Sequence, residues 1–208
     1  GGITQLHAQS YLEFVENKGQ WDKQIKYKGD LGDGAFAIKA DGGYRMLVYN
    51  GEDLAAINRH KHNASASSTI QRTALSDQNL DGDHGGTGGG SGANGSRVQQ
   101  LRGHVYEVSF LNANPSPQAV PDKAIQTVNN YFIGNDPNKW VSNCKVFTSV
   151  TYKNLYNNID IRYYSSNGQI KYEFIVHPGG NPDNIAMYID GATGIKMSGR
   201  NLQIKTSV

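Results

Sequence analysis

The chain has 208 residues and a net charge of +2, with 20 basic side chains scattered among 18 acidic ones. That is too weak and too dispersed a positive field to hold nucleic acid. Charged residues make up 18%, against a usual ~25%, while 25 glycines and 12 tyrosines stand out. This balance suits an extracellular β protein rich in turns, because glycine serves turns and bulges while aromatics pack on pleated surfaces. The length permits one large β domain or two small ones with a substantial core. No apolar run approaches the ~20 residues of a membrane span, so membrane insertion is not expected. The single cysteine, Cys144, forms no internal disulfide and no cysteine-based zinc cluster, and reads as a small, half-buried apolar side chain.

The first ten residues, "GGITQLHAQS", lack the basic and apolar regions of a signal peptide and read as an N-terminal arm. Residues 11–57 carry short apolar runs ("YLEFV", "IKYKG", "AFAIKA", "YRMLVYN") divided by "NKGQ", "DLGDG" and "ADGG". Short runs at this spacing, punctuated by Gly, Asp and Asn, predict the strands of a sandwich or barrel. Residues 58–100 change character, with His, Ser, Asn and Gly dominant and eight glycines between 82 and 95. They read as a flexible Gly-rich insertion. From 101 onward the strand pattern returns through "HVYEVSF", "QTVNNYFI", "SVTYKNLY", "IDIRYYS", "QIKYEFIV", "NIAMYID" and "LQIKT". No segment keeps a 3.6-residue apolar period over three capped turns, so little helix is expected. One helical turn at "GNDPNKW" (134–140) is the exception, with Asp136 as cap and Pro137 in the first turn. The fold class is therefore all-β: one antiparallel, sandwich-like domain over 1–208 with many short strands. "NLQIKTSV" stops within a strand pattern, so we expect an excised module of a longer protein.

The hairpin at 159–176 can be laid out in register. Asn167-Gly168 is the favoured pair for a type I′ turn, which needs positive φ at both central residues. Pairing Ser166 with Gln169 sets Tyr163 opposite Tyr172, Ile161 opposite Phe174 and Ile159 opposite Val176 on one face. Arg162 then meets Glu173 on the other. Tyr172 is expected on the core side, with a large cost on truncation.

Several long segments, among them "FVENKGQWDKQIKYKGDLGDGAFAIKADG", "VNNYFIGNDPNKWVSN" and "VTYKNLYNNIDIRYYSSNGQIKYEFIVHPGGNPDNI", carry a resemblance. With "VSFLNANPSPQ" and "LQIKTS" they resemble a domain of unknown function near the N-terminus of large secreted bacterial proteins, many from Bacteroidota. Such proteins often continue into SBBP-type β-propeller repeats and end in gliding-motility or type IX secretion sorting domains. The resemblance covers most of 11–207 apart from about 58–100. It implies secretion or cell-surface display, with a signal peptide removed, and a role in adhesion or scaffolding. It carries no catalytic residue onto any position here.

Candidate sites are few. "DQNLDG" begins like an EF-type calcium loop, with Asp77, Asn79, Asp81 and Gly82 in the expected places. Position 12 is Gly88, which has no carboxylate, so the stretch reads as a spacer, with Asp83 as the one substitute ligand for a weak calcium site. No other cofactor is expected. His60, His62 and His84 lie in the same insertion and read as exposed loop histidines, although His-rich tracts do bind transition metals. On the hairpin's second face Asp160, Arg162, Glu173 and His177 alternate with Tyr164, and these five are the candidate binding residues. Two carboxylates across a cleft can serve glycoside hydrolysis. Arg162 opposite Glu173 favours the ionised carboxylate, a poor general acid, and the face reads as solvated and cross-paired. "HPGGNPDN" (177–184) is turn chemistry that could line a binding surface, and its first reading is connection. Of the tyrosines at 152, 156, 163, 164 and 172, Tyr164 is the exposed candidate for stacking on a sugar. Hydrolase, metalloprotease and phosphate-loop motifs are absent.

The expected function is that of a non-catalytic module of a secreted or cell-surface protein, acting in adhesion, glycan contact or scaffolding. Its partners would be glycans or surface polymers, and downstream domains of the same polypeptide. One alternative is a carbohydrate-active enzyme domain; the other is a structural cap on neighbouring propeller repeats.

Overall fold

A computed structural model describes residues 12–63, 101–132, 140–199 and 201–208. In chain order, β1 (Phe14–Glu16), β2 (Ile25–Leu31), β3 (Gly34–Lys39) and β4 (Tyr44–Tyr49) form a meander, followed by the helix α1 (Gly51–Asn63). The chain then continues through β5 (Gly103–Phe110), β6 (Gln118–Pro121), β7 (Val128–Phe132), β8 (Trp140–Phe147) and β9 (Ser149–Tyr156). It ends with β10 (Ile159–Ser166), β11 (Gln169–Val176), β12 (Met187–Asp190), β13 (Gly194–Ser198) and β14 (Asn201–Lys205). The larger sheet has 8 strands in the order β12-β5-β4-β3-β2-β1-β8-β7, and the smaller has 4 in the order β11-β10-β9-β6. Every pairing is antiparallel, and the all-β sandwich expected from the strand spacing is what forms.

Period-2 alternation gives each strand one face for the core. Phe14, Tyr27, Phe36, Ile38, Tyr44 and Val108 from the larger sheet meet Val150, Tyr152, Leu155, Ile159, Ile161 and Tyr163 from the smaller. The layer is aromatic: Tyr163 lies 5.9 Å from Tyr44 and 6.2 Å from Tyr152 by ring centroids, both edge-on. Edge-to-face rings match quadrupoles, and each buried side chain of this size contributes roughly 1.5–3 kcal/mol. Burial pushes the Tyr152 and Tyr163 hydroxyls well above their ordinary range, so both stay protonated.

The larger sheet also buries its other face, around Val15, Ala35, Ala37, Leu47, Cys144 and Val146. Cys144 is fully buried there rather than half-buried. Charged groups share this face in paired form. Glu107 accepts from Lys39 at 2.6 Å and from Arg45, its cross-strand neighbour, at 2.5 Å. Burial opposes the Glu107 charge, yet these two cations hold its carboxyl below the ordinary range. The buried Lys28 ammonium sits 4.9 Å over the Trp21 ring.

The helix α1 departs from expectation, because its apolar positions are too few to mark one face. What starts it is local. The Asn50 side chain accepts from Asp53 N at 3.0 Å, and Glu52 and Asp53 place negative charge in the first turn. Asp53 then grips Arg102 through Nε at 2.8 Å and Nη2 at 3.0 Å, while Asn50 N donates to Arg102 O at 2.9 Å. Both ends of the insertion are thus pinned together. The helix takes in residues 58–63, which the sequence assigns to flexible insertion; residues 64–100 lie outside the described residues, as do the arm at 1–10 and residues 134–139 of the expected helical turn.

The hairpin of β10 and β11 has the expected register, from Ser166 opposite Gln169 to Ile159 opposite Val176. Asn167 and Gly168 have φ of 53° and 70°, as a type I′ turn requires. Tyr172 lies on the core side as expected, its ring 6.0 Å from Tyr44 and 6.1 Å from Tyr163, but it is less buried than expected. Tyr163 is 1% exposed, but Tyr172 is 38% exposed, because β11 is the edge of its sheet and only one neighbour shields it. At the C-terminus β13 and β14 pair only with each other among the described residues. The tail is anchored by His104, whose Nε2 contacts Gly191 O at 2.8 Å and whose Nδ1 contacts Ser207 Oγ at 2.8 Å.

Candidate functional site

The outer face of the smaller sheet carries all five sequence candidates, but does not make one site of them. Arg162 Nη1 lies 3.4 Å from Glu173 Oε1, a long pair with both partners substantially exposed. The Arg162 guanidinium sits 5.5 Å from the centre of the Tyr164 ring. Tyr164 is half-buried, and a cation already occupies one face of the ring proposed as a sugar platform.

The Asp160 side chain is shielded, only 2% exposed, although the face around it is solvated. Oδ2 accepts from Lys153 Nζ at 2.8 Å and contacts His177 Nε2 at 2.9 Å, while Oδ1 accepts from Asn154 N at 2.8 Å. The reason is a register irregularity between β9 and β10 at Ile159/Ile161, where Asn154 adopts φ of 55°. The bulge turns Asn154 N away from the ladder, and the Asp160 carboxylate takes it up. Burial raises the Asp160 pKa, but the bonds from Lys153, His177 and Asn154 outweigh it and leave the carboxyl below its ordinary range. Asp160, one of the two carboxylates of the supposed acid–base pair, is therefore held ionised by its partners, which suits structure better than proton donation.

A different feature emerges at the neighbouring end of the sandwich. Three turns converge there: the one after β5, the one joining β9 to β10, and a 3-10 turn (Pro182–Asn184) capped by the Asn181 side chain. Together they border an open cleft of about 640 Å³, lined by Asn112, Asn114, Asn154, Asn157, Asp183 and Asn184 together with Tyr156 and Ala186. Its walls are tied across both sheets. The buried Tyr156 places its hydroxyl 3.0 Å from Leu111 O and 3.2 Å from Ala186 O, and Ala186 N donates to that hydroxyl at 3.3 Å. Asn114 N donates to Leu155 O at 2.8 Å, and Asn114 Nδ2 to Asn154 O at 3.1 Å.

Asn114 is therefore structural, its Oδ1 also accepting from Ser116 N. Asn112, Asn154, Asn157, Asp183 and Asn184 line the cleft as exposed residues, and their side chains have no hydrogen-bond partner among the described residues. This is the site that sequence reasoning missed. Its residues come from "LNANPS", "NLYNN" and "NPDN", which read singly as turns. Only the tertiary fold shows that they converge.

The calcium candidates Asp77, Asn79, Asp81 and Asp83, and His84, fall outside the described residues, as do the side chains of His60 and His62. Among the described residues no three His, Cys, Asp or Glu side chains gather closely enough to hold a metal ion, and no helix is long and apolar enough to cross a membrane.

No curated protein and no solved structure matches the chain at a significant level. A family model does match, over residues 14–208, which takes in both sheets, the cleft and the insertion. The chain belongs to the family described as Domain of unknown function (DUF7948).

Proposed function

We propose that this domain is a non-catalytic contact module of a secreted or cell-surface protein, working in adhesion or in presenting the domains that follow it, and that it holds its partner in the cleft between the two sheets. One observation carries the reading: five exposed polar residues, four of them asparagines, line a shared concavity, and their side chains have no partner among the described residues. Polar groups left open in a concave, braced site support recognition, because a ligand can satisfy them without rearrangement. Catalysis finds less support. Asp183 is the one carboxylate in the lining, and hydrolysis of a glycosidic bond takes two facing each other.

The test is an array of glycans, surface polymers and matrix proteins, probed with the wild-type domain and with Asn157→Ala/Asn184→Ala. Capture by the wild type and its loss in the variant support the reading. Cleavage of an arrayed glycan, detected as new reducing ends, contradicts it.

A further inference from the structure

Resting on that reading of the cleft, we infer that its ligand is a neutral, polyhydroxylated saccharide recognised by side-chain amides rather than by aromatic stacking. Each asparagine amide presents two N–H donors and a carbonyl acceptor in one plane. A sugar's neighbouring hydroxyls each donate and accept, so an array of amides matches them, whereas an anion uses donors only. The lining offers no Lys, Arg or His to replace the water lost by a sulfate or uronate, and the Asp183 carboxylate would repel either. Charge therefore selects against acidic polymers.

Backbone geometry explains only part of the asparagine content. Asn112 and Asn154 have φ of 56° and 55°, a region that asparagine tolerates better than most residues. Asn157 and Asn184 are not in that region, yet each is exposed and lines the same space. Stacking is not offered within the cleft, because the ring of Tyr156 is 6% exposed and its hydroxyl already joins Leu111 to Ala186. What remains is a floor tied by the Tyr156 hydroxyl and bordered by asparagines, and the cleft volume lies within the roughly 300–1,000 Å³ typical of small-ligand sites.

Affinity electrophoresis in gels containing polysaccharide tests this. The neutral gels contain dextran, laminarin or mannan; the acidic gels contain alginate or heparin. At least one neutral polymer should retard the wild type, the apparent affinity falling at least tenfold in Asn157→Ala/Asn184→Ala with an unchanged melting temperature. Lys171→Ala, on the outer face of the smaller sheet, should be retarded like the wild type. Retardation by alginate or heparin alone would overturn the ligand class, and so would a cleft-dependent rise in melting temperature with calcium chloride alone. If no polysaccharide retards the domain, the saccharide inference fails; cleft-dependent capture of a matrix protein on the array would then leave the contact-module reading standing.

Discussion

The Tyr163 hydroxyl donates to Gly42 O at 2.7 Å, joining the middle of the smaller sheet to the β3–β4 turn of the larger one, 121 residues away. Gly42 has φ of 87°, and a Cβ there would lie 3.0 Å from Leu155 Cδ1, so the turn fits beneath the smaller sheet only as glycine. The neighbouring Tyr152 hydroxyl is also buried and has no hydrogen-bond partner among the described residues. The same chemical group thus occurs with and without its bond in one core. Tyr163→Phe should cost about 1–3 kcal/mol by leaving a buried carbonyl unpaired, while Tyr152→Phe should be neutral or stabilising. Urea unfolding of the two variants measures the contrast, and equal losses would contradict it.

Truncation of the hairpin's tyrosines should follow burial rather than pairing. Tyr163→Ala should cost about 3–5 kcal/mol through the cavity it leaves, and Tyr172→Ala clearly less, since solvent already reaches Tyr172. Gly168→Val should cost more than about 1 kcal/mol by forcing a β-branched residue into positive φ, whereas Asn167→Gly should be tolerated. Thermal unfolding of the set would show the order.

On the outer face, Asp160 and Arg162 should behave oppositely despite adjacent alternation. Asp160→Ala leaves the bulge amide of Asn154 without its acceptor and should cost about 1–3 kcal/mol. Arg162→Ala removes an exposed pair and should cost less than about 1 kcal/mol. Denaturant midpoints of the two variants check the order, and a larger loss for Arg162 would mean that its long contact to Glu173 is the stronger link.

Acid should loosen the base of the insertion. The hydrogen bonds from Arg102 lower the Asp53 pKa from 3.8 to about 2. A carboxyl with a depressed folded value contributes stability that is complete above its unfolded value and is lost as pH falls through the folded one. The stability difference between wild type and Asp53→Asn should therefore be full at pH 5, shrink below pH 3.8 and vanish near pH 2. A pH series of melting temperatures tests it, a constant difference being the contrary result.

Strand positions, the type I′ turn and the complete 159–176 register were legible because each rests on local pattern: period-2 alternation, Asn-Gly, and pairs that agree on both faces. The burial of Asp160 was not, since it depends on a bulge in β9 that no periodicity marks. The exposure of Tyr172 depends on which strand ends the sheet, a matter of topology rather than of residue type. Helix α1 escaped notice because its first-turn acids and Asn50 cap outweigh a poor apolar stripe, and the Asp53–Arg102 grip arrives from 49 residues away. The cleft was the least legible of all. Each asparagine is an ordinary turn residue until three turns meet.

The central claim, that the cleft's uncommitted amides take up the ligand, is tested most directly by following asparagine side-chain NH2 signals in ¹H–¹⁵N correlation spectra while oligosaccharides of dextran, laminarin and mannan are added in turn, the expectation applying to whichever polymer retards the domain. The expected result is concentration-dependent shifts of Asn112, Asn154, Asn157 and Asn184, with Asn114, already bonded to Asn154 O, moving least. Shifts confined to Tyr164, Arg162 and Glu173, with the asparagine amides unmoved, would contradict the account and move the binding surface to the outer face of the smaller sheet.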